Sequence, residues 1–144
     1  MENEVKHHKA IVHNAIQTPD GTILESRHRH DYVEYIDANG NEYMVDGGTE
    51  YLRRGYTVAD YTEMSLYEDD DIELIRKVVT RGGRGKDGKQ PLTFTPICEM
   101  NDAWLQAAID YNDDYGMGTM IMNKLYKREQ EYRKQNNIVI DDVD

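Results

Sequence analysis

Residues Ser26 to Gly55 read SRHRHDYVEYIDANGNEYMVDGGTEYLRRG, and their alternation decides the fold class. Tyr32, Glu34 and Ile36 fall on one side of an extended chain, and Val33, Tyr35 and Asp37 on the other. Asp37-Ala-Asn-Gly-Asn41 supplies a turn in which Gly40 takes positive φ without a steric penalty. Glu42 to Val45 then returns antiparallel. Basic clusters bracket this hairpin, with Arg27, His28, Arg29 and His30 before it and Arg53 and Arg54 after it. Asp46-Gly47-Gly48 is a bend through which the chain folds back, so both clusters are expected near one hairpin end. In an otherwise acidic chain, that points to a pocket for an anion.

Working outward, Ala10 to Gln17 (AIVHNAIQ) is rich in apolar and β-branched residues and reads as a strand. Thr18-Pro-Asp-Gly21 turns it, because Pro19 presets φ and Gly21 relaxes the exit. Thr22 to Ser26 is the return strand, and with the central hairpin this predicts a four-stranded antiparallel meander. Gly55 to Leu66 reads as a further strand. Four acids in Tyr67 to Asp71 cap and electrostatically favour a helix over Ile72 to Arg81, whose Ile72, Ile75, Val78 and Val79 share a face. Val78-Val79-Thr80 could tip its end into a strand. Gly82 to Gln90 is a glycine-rich loop and Pro91 to Ile97 is extended.

Met100-Asn-Asp102 caps a helix over Ala103 to Tyr111 with an apolar stripe of Trp104, Leu105, Ala108 and Ile109. Asn112 to Gly116 connects it to a longer helix, Met117 to Gln135. The stripe of that helix is Met117, Met120, Ile121, Leu125 and Tyr132. Its second half carries Lys124, Lys127, Arg128, Arg133 and Lys134, the charge sign the helix dipole favours there. The chain therefore reads as α+β: an N-terminal antiparallel β-sheet core with a C-terminal helical hairpin. A single domain is expected over 1–144. Its parts are a β-rich core over 10–97 with one short helix near 71–81, two helices over 101–137, and a loose acidic tail over 138–144. The two helices could dimerise or only cap the sheet.

The chain has 144 residues, enough to bury a core without staples. One cysteine, Cys98, excludes an intramolecular disulfide and a cysteine zinc site. No apolar run reaches membrane-spanning length and MENEVKHHKA lacks the apolar region of a signal peptide, so a soluble intracellular protein is expected. A net charge of −11 disfavours DNA or RNA, whose binding rests on phosphate neutralisation. Eleven tyrosines against one phenylalanine favour an amphipathic, partly polar interior or interface.

Four constellations carry candidate chemistry. His28-Arg-His30-Asp31 puts two imidazoles at i, i+2, on one side if extended, beside a carboxylate. A metal would need further ligands, and only His7, His8 and His13 remain, all earlier in the chain. A cluster facing phosphate or ribose fits the flanking Arg27 and Arg29 better, and a salt-bridged strand face is the plain structural alternative. Gly83-Arg-Gly-Lys-Asp-Gly88-Lys89 fits GxxxxGK, but Gln90 stands where a P-loop has Ser or Thr, and Pro91 excludes the helix such a loop needs. What remains is a basic loop whose Gly82 and Gly83 backbone, with Arg81, Arg84, Lys86 and Lys89, could wrap phosphates; a plain hairpin tip explains it equally. Asp46-Gly-Gly48 with Tyr51-Leu-Arg53-Arg54 could be a substrate bend with an arginine clamp for pyrophosphate, since arginine donates two parallel hydrogen bonds; a structural turn followed by a surface pair explains it equally. Tyr32, Tyr35, Tyr43, Tyr51 and Trp104 are candidates for stacking on a purine, although most tyrosines in such a fold are core residues. No nucleophile has an activating signature, so binding is favoured over reaction, with no cofactor and no metal.

HDY (30–32), MVDGG-x-x-YLRR (44–54) and GKDGKQPL (85–92) together resemble a family of small bacteriophage proteins over about Thr18 to Gln135. The chain is similar to the Thoeris anti-defence family whose first-described member is a signal sponge. The resemblance implies a β-sheet core with C-terminal helices, assembled as a homodimer or higher homo-oligomer, in the cytoplasm of the infected bacterium. It implies sequestration, without cleavage, of a cyclic ADP-ribose isomer made by TIR-domain enzymes, with cyclic di- or trinucleotides as second ligands. Family arginines map onto Arg27 or Arg29 and onto Arg53 or Arg54. Where relatives often have an aromatic before the glycine loop, this chain has Arg81, which leaves open the group that stacks on adenine. Two rivals stand beside this reading: an acidic inhibitor that mimics nucleic acid against a host enzyme, and a small metal-dependent phosphoesterase using His28, His30 and Asp31.

Overall fold

Apolar and β-branched residues extend Ile11–Gln17 (β1), and the turn at Thr18–Gly21 folds Ile23–Ser26 (β2) back along it. The register runs from Asn14 opposite Ser26 to Gln17 opposite Ile23. Val33–Ile36 (β3) and Glu42–Asp46 (β4) form the central hairpin, with Val33 opposite Val45, and Arg53–Arg54 (β5) pairs with the end of β4. Thr62–Glu63 (β6) and Leu66–Tyr67 (β7) both pair with β1. Then come Ile72–Val78 (α1), Thr80–Gly83 (β8), Thr93–Pro96 (β9), a 3-10 turn at Ile97–Glu99, Asp102–Asp114 (α2) and Ile121–Gln135 (α3). The computed structural model describes residues 10–55, 60–118 and 120–141. It is α+β, antiparallel sheets followed by two helices that pack together. The chain falls into two compact units, Met1–Asp69 and Asp70–Asp144.

In the first unit, one sheet holds β2, β1, β6 and β7, and a second holds β3, β4 and β5. The expected four-stranded meander is thus corrected, because β2 and β3 do not pair. Between them Arg27–Tyr32 turns sharply: the Asp31 amide donates to the His28 carbonyl at 2.9 Å, and the Arg27 amide to Asp31 Oδ2 at 2.8 Å. Ile16, Leu24, Tyr43 and Val45 are buried together, with Val33 and Tyr35 against them. The Tyr35 and Tyr43 rings stack at 6.1 Å and send their hydroxyls outward to Asp20 and Asp37. Such apolar bodies with wet tips are what the tyrosine-rich composition favoured. The single strand expected over Gly55–Leu66 is also corrected: β6 and the start of β7 are short, separate pairings, and residues 56–59 lie outside the described residues.

Asn14 holds the bend after β4. It is fully buried, donates to the Asp46 and Gly48 carbonyls at 2.9 and 3.0 Å, and accepts from Arg54 at 2.9 Å. Gly48 sits at φ +54° with the His28 backbone where a Cβ would stand. Gly48→Ala is therefore expected to destabilise the protein by at least about 2 kcal/mol, because a left-handed penalty of about 1–2 kcal/mol is joined by displacement of backbone. Chemical denaturation read by tyrosine fluorescence checks this.

In the second unit, Asp71 caps α1 by accepting from the Glu73 amide at 3.0 Å. The helix predicted to Arg81 stops at Val78, because Val79 is extended and Thr80–Gly83 pairs with β9. Asn101 caps α2, accepting from the Trp104 amide at 2.7 Å. The second helix begins at Ile121 rather than Met117: the Met117 amide is held by the Asn112 carbonyl at 2.6 Å, and Asn123 by Gly118 at 3.1 Å. Ile75, Val79, Ile97, Met100, Leu105, Ile109, Leu125 and Tyr126 form the apolar interior.

Beside that interior lies a charged seam. Glu129, fully buried, takes two hydrogen bonds from Arg76 at 2.8 and 2.9 Å and one from Arg133 at 2.7 Å. Arg133 also donates to Asp102 at 2.7 Å and to the Ile97 carbonyl at 3.0 Å. The tail expected to be loose from residue 138 is pinned here. The Asp102 amide donates to the Ile140 carbonyl at 2.8 Å, and the Ile140 amide to Asp102 Oδ2 at 3.2 Å. Residues 142–144 lie outside the described residues. No helix among the described residues is long and apolar enough to cross a membrane.

Candidate functional site

Strand alternation builds one wall of a cleft in the second unit. β8 and β9 are antiparallel, with Arg81 opposite Thr95 and Gly83 opposite Thr93, so these four residues share a face. Gly82 lies between them with Phe94 and Leu92 packed close to where a Cβ would be. The other wall is the start of α2. Asn101 ends the preceding loop by capping the helix, and Ala103 and Trp104 follow in the first turn. A Cβ on Gly83 would stand 3.9 Å from the Trp104 ring, an ordinary van der Waals distance, so the half-buried indole lies directly across from the strand. Together with Arg84, Gly85 and Lys86, these residues enclose a cavity of about 660 Å³. That is within the range of small-molecule sites, roughly 300–1,000 Å³.

The loop from Arg84 to Gln90 is a hairpin tip. The Gln90 amide donates to the Arg84 carbonyl at 2.9 Å, the Gly88 amide to the Gly85 carbonyl at 3.1 Å, and the Lys89 amide to Asp87 at 2.9 Å. An extended strand follows it, so the GxxxxGK run does not cradle a triphosphate at a helix start. It presents cations instead. Arg81, Arg84 and Lys86 line the cleft, and among the described residues no carboxylate lines it. In a chain of net charge −11, such a spot attracts anions locally. Arg81 is anchored by Tyr126, whose hydroxyl accepts its Nη1–H at 3.0 Å, with the guanidinium 5.8 Å from the ring centre.

The remaining predicted site residues lie in the first unit. The turn over Arg27–Asp31 meets the bend after β4: His28 abuts Gly48, and Arg29 faces Glu50 at 3.5 Å. The two basic clusters do come to one hairpin end, as their bracketing suggested. His28 and His30 are not paired on a strand face, however. They occupy the turn, where the His30 amide donates to His28 Nδ1 at 3.3 Å. Each arginine there faces an acid: Arg27 with Glu25 at 3.8 Å, Arg53 with Asp46 at 3.5 Å and Arg54 with Glu63 at 2.6 Å. Arg54 is largely buried and Tyr51 is exposed. His13 sits 3.6 Å from Glu25, and burial lowers its pKa despite that carboxylate. Among the described residues, no three His, Cys, Asp or Glu side chains are placed to hold a metal ion.

Gly82, Gly83, Arg81, Arg84 and Lys86 were legible as a basic glycine loop, and Trp104 as an aromatic. Sequence reasoning missed Thr93, Thr95, Asn101 and Ala103 as wall residues, and Tyr126 as the anchor of Arg81. The Thr-Phe-Thr alternation at 93–95 was the available signal for the first two. No family model, no curated protein and no solved structure matches this chain.

Proposed function

We propose that this protein is a sponge: it binds, and does not cleave, a cyclic ADP-ribose isomer. The observation that carries this reading is the cleft itself, with three cations on one side and the Trp104 indole on the other. A cyclic ADP-ribose carries a pyrophosphate and a purine. Guanidinium forks suit the first and an indole face suits the second. The glycine backbone of β8 allows close approach, and Thr93, Thr95 and Asn101 offer hydroxyl and amide groups to ribose. Among the described residues no lining side chain is an acid, a histidine or a cysteine, which favours retention over turnover.

On this reading the protein lowers the free signal made by TIR-domain enzymes and keeps their effector inactive. It then acts as a bacteriophage anti-defence protein in the cytoplasm of the infected bacterium. Cyclic di- and trinucleotides share the phosphate and base chemistry and are proposed as second ligands. A homo-oligomer formed through the C-terminal helices belongs to the same proposal.

The test is retention and release. The protein is incubated with cyclic ADP-ribose isomers, freed of unbound ligand, heat-denatured, and the supernatant chromatographed. Intact ligand in near-stoichiometric amount is the expected result. A linear product would make the protein an esterase, and an empty supernatant would leave an acidic decoy as the better account.

A further inference from the structure

On α3, Tyr126, Glu129 and Arg133 lie three and four residues apart, which places them along one face. All three are buried, at 1%, 0% and 4% exposure. Their polar ends reach different neighbours. Glu129 takes Arg76 of α1, Arg133 takes Asp102 at the start of α2, and the Tyr126 hydroxyl accepts from Arg81 of β8. Both walls of the cleft are therefore tied to one helix face, and the Tyr126 tie ends on a cleft cation.

The chemistry of that tie differs from that of other arginines in the chain. Arg53, Arg54, Arg76 and Arg133 each face a carboxylate within 3.5 Å. Arg81 is held by a phenol and an aromatic face. A carboxylate would hold the guanidinium and cancel its charge. A neutral oxygen holds it and leaves the charge, and one bond of five leaves donors for a ligand. Freezing an arginine side chain costs up to about 2 kcal/mol of rotamer entropy, which a preset side chain does not lose again on binding.

We propose that Tyr126 is the positioning residue of the cleft, a neutral acceptor that fixes Arg81 on the wall for a phosphate-bearing ligand. This rests on the anion-binding role of the cleft given above. Tyr126→Phe keeps the ring and removes the hydroxyl. Two measurements follow: NMR relaxation of the Arg81 Nε–Hε pair in the free protein, and calorimetric affinity for inorganic pyrophosphate. In Tyr126→Phe, Arg81 is expected to become more mobile and pyrophosphate to bind about tenfold more weakly, because the freed side chain must then lose its rotamer entropy on binding. In an Arg81→Ala background the same change should alter binding less than about twofold, because the pair acts as one unit. The proposal is overturned if Arg81 is equally mobile with and without the hydroxyl. It is overturned too if Tyr126→Phe weakens binding as much when Arg81 is absent, which would mark a general structural defect. A parent protein that binds no pyrophosphate overturns the anion-binding role itself, and the Arg81 relaxation then still decides for or against Tyr126 as its holder.

Discussion

Glu129→Ala is expected to lower the melting temperature by roughly 10 °C or more, as breaking a buried ion pair costs about 3–5 kcal/mol. Glu129 has no exposed surface and accepts from two guanidinium groups. Removing it leaves Arg76 and Arg133 facing each other in a poorly solvated space with no anion between them. Arg133 in turn orients Asp102, which receives the Ile140 amide while its own amide donates to the Ile140 carbonyl. Loss of Glu129 should therefore loosen the start of α2 and the C-terminal segment together. Hydrogen exchange at Asp102 and Ile140 checks that spread, and calorimetry checks the magnitude. Glu129→Gln, which keeps the shape and one acceptor oxygen, should lose less. A melting temperature within about 2 °C of the parent for Glu129→Ala would show that water enters and solvates the arginines, and the seam would then not organise the unit.

Arg81→Ala combined with Arg84→Ala is expected to weaken binding of a cyclic ADP-ribose isomer by about 100-fold to 1,000-fold, since each hydrogen bond from a charged group to the ligand is worth about 1.5–3 kcal/mol and the variant removes two donors. Both side chains line the cleft, and among the described residues Arg84 makes a long 3.5 Å bond to the Gln90 carbonyl. The variant should stay folded, because neither side chain belongs to the buried seam around Glu129. Raising the salt concentration should weaken the parent and flatten the difference between parent and variant. Arg53→Ala is the informative comparison. Arg53 is more than half exposed beside Asp46, in the first unit. Should that single change match the double one, the ligand belongs to the cluster at Arg27–Arg54 and the cleft assignment fails.

The parts of the structure that the sequence determined by itself are those written in short-range chemistry. The β3–β4 hairpin follows from alternation and from Gly40, which takes φ +79°. The start of α2 follows from Asn101, whose side chain can reach the Trp104 amide only if a helix begins there. The α+β order follows from where each periodicity stops. The basic loop over Arg81–Lys86 was legible for the same reason, since glycines and cations stand together in the chain.

What only the tertiary structure decided is which partner each segment meets. β1 could pair with β2 alone or add β6 and β7, and β3 could have joined β2; nothing in a strand's own alternation selects its neighbour. α1 stops at Val78 because β9, which begins fifteen residues onward, offers Thr80–Gly83 a ladder that outweighs another helical turn. Glu129 and Arg133 read locally as exposed helix charges, yet both are buried because Arg76 and Asp102 arrive from α1 and α2. Tyr126 fits the spacing of a core stripe, and its hydroxyl gains a role only when β8 brings Arg81 within 3.0 Å. Burial and charge pairing are properties of positions in space, and a helix repeat of 3.6 residues says which side chains share a face but not what that face will meet.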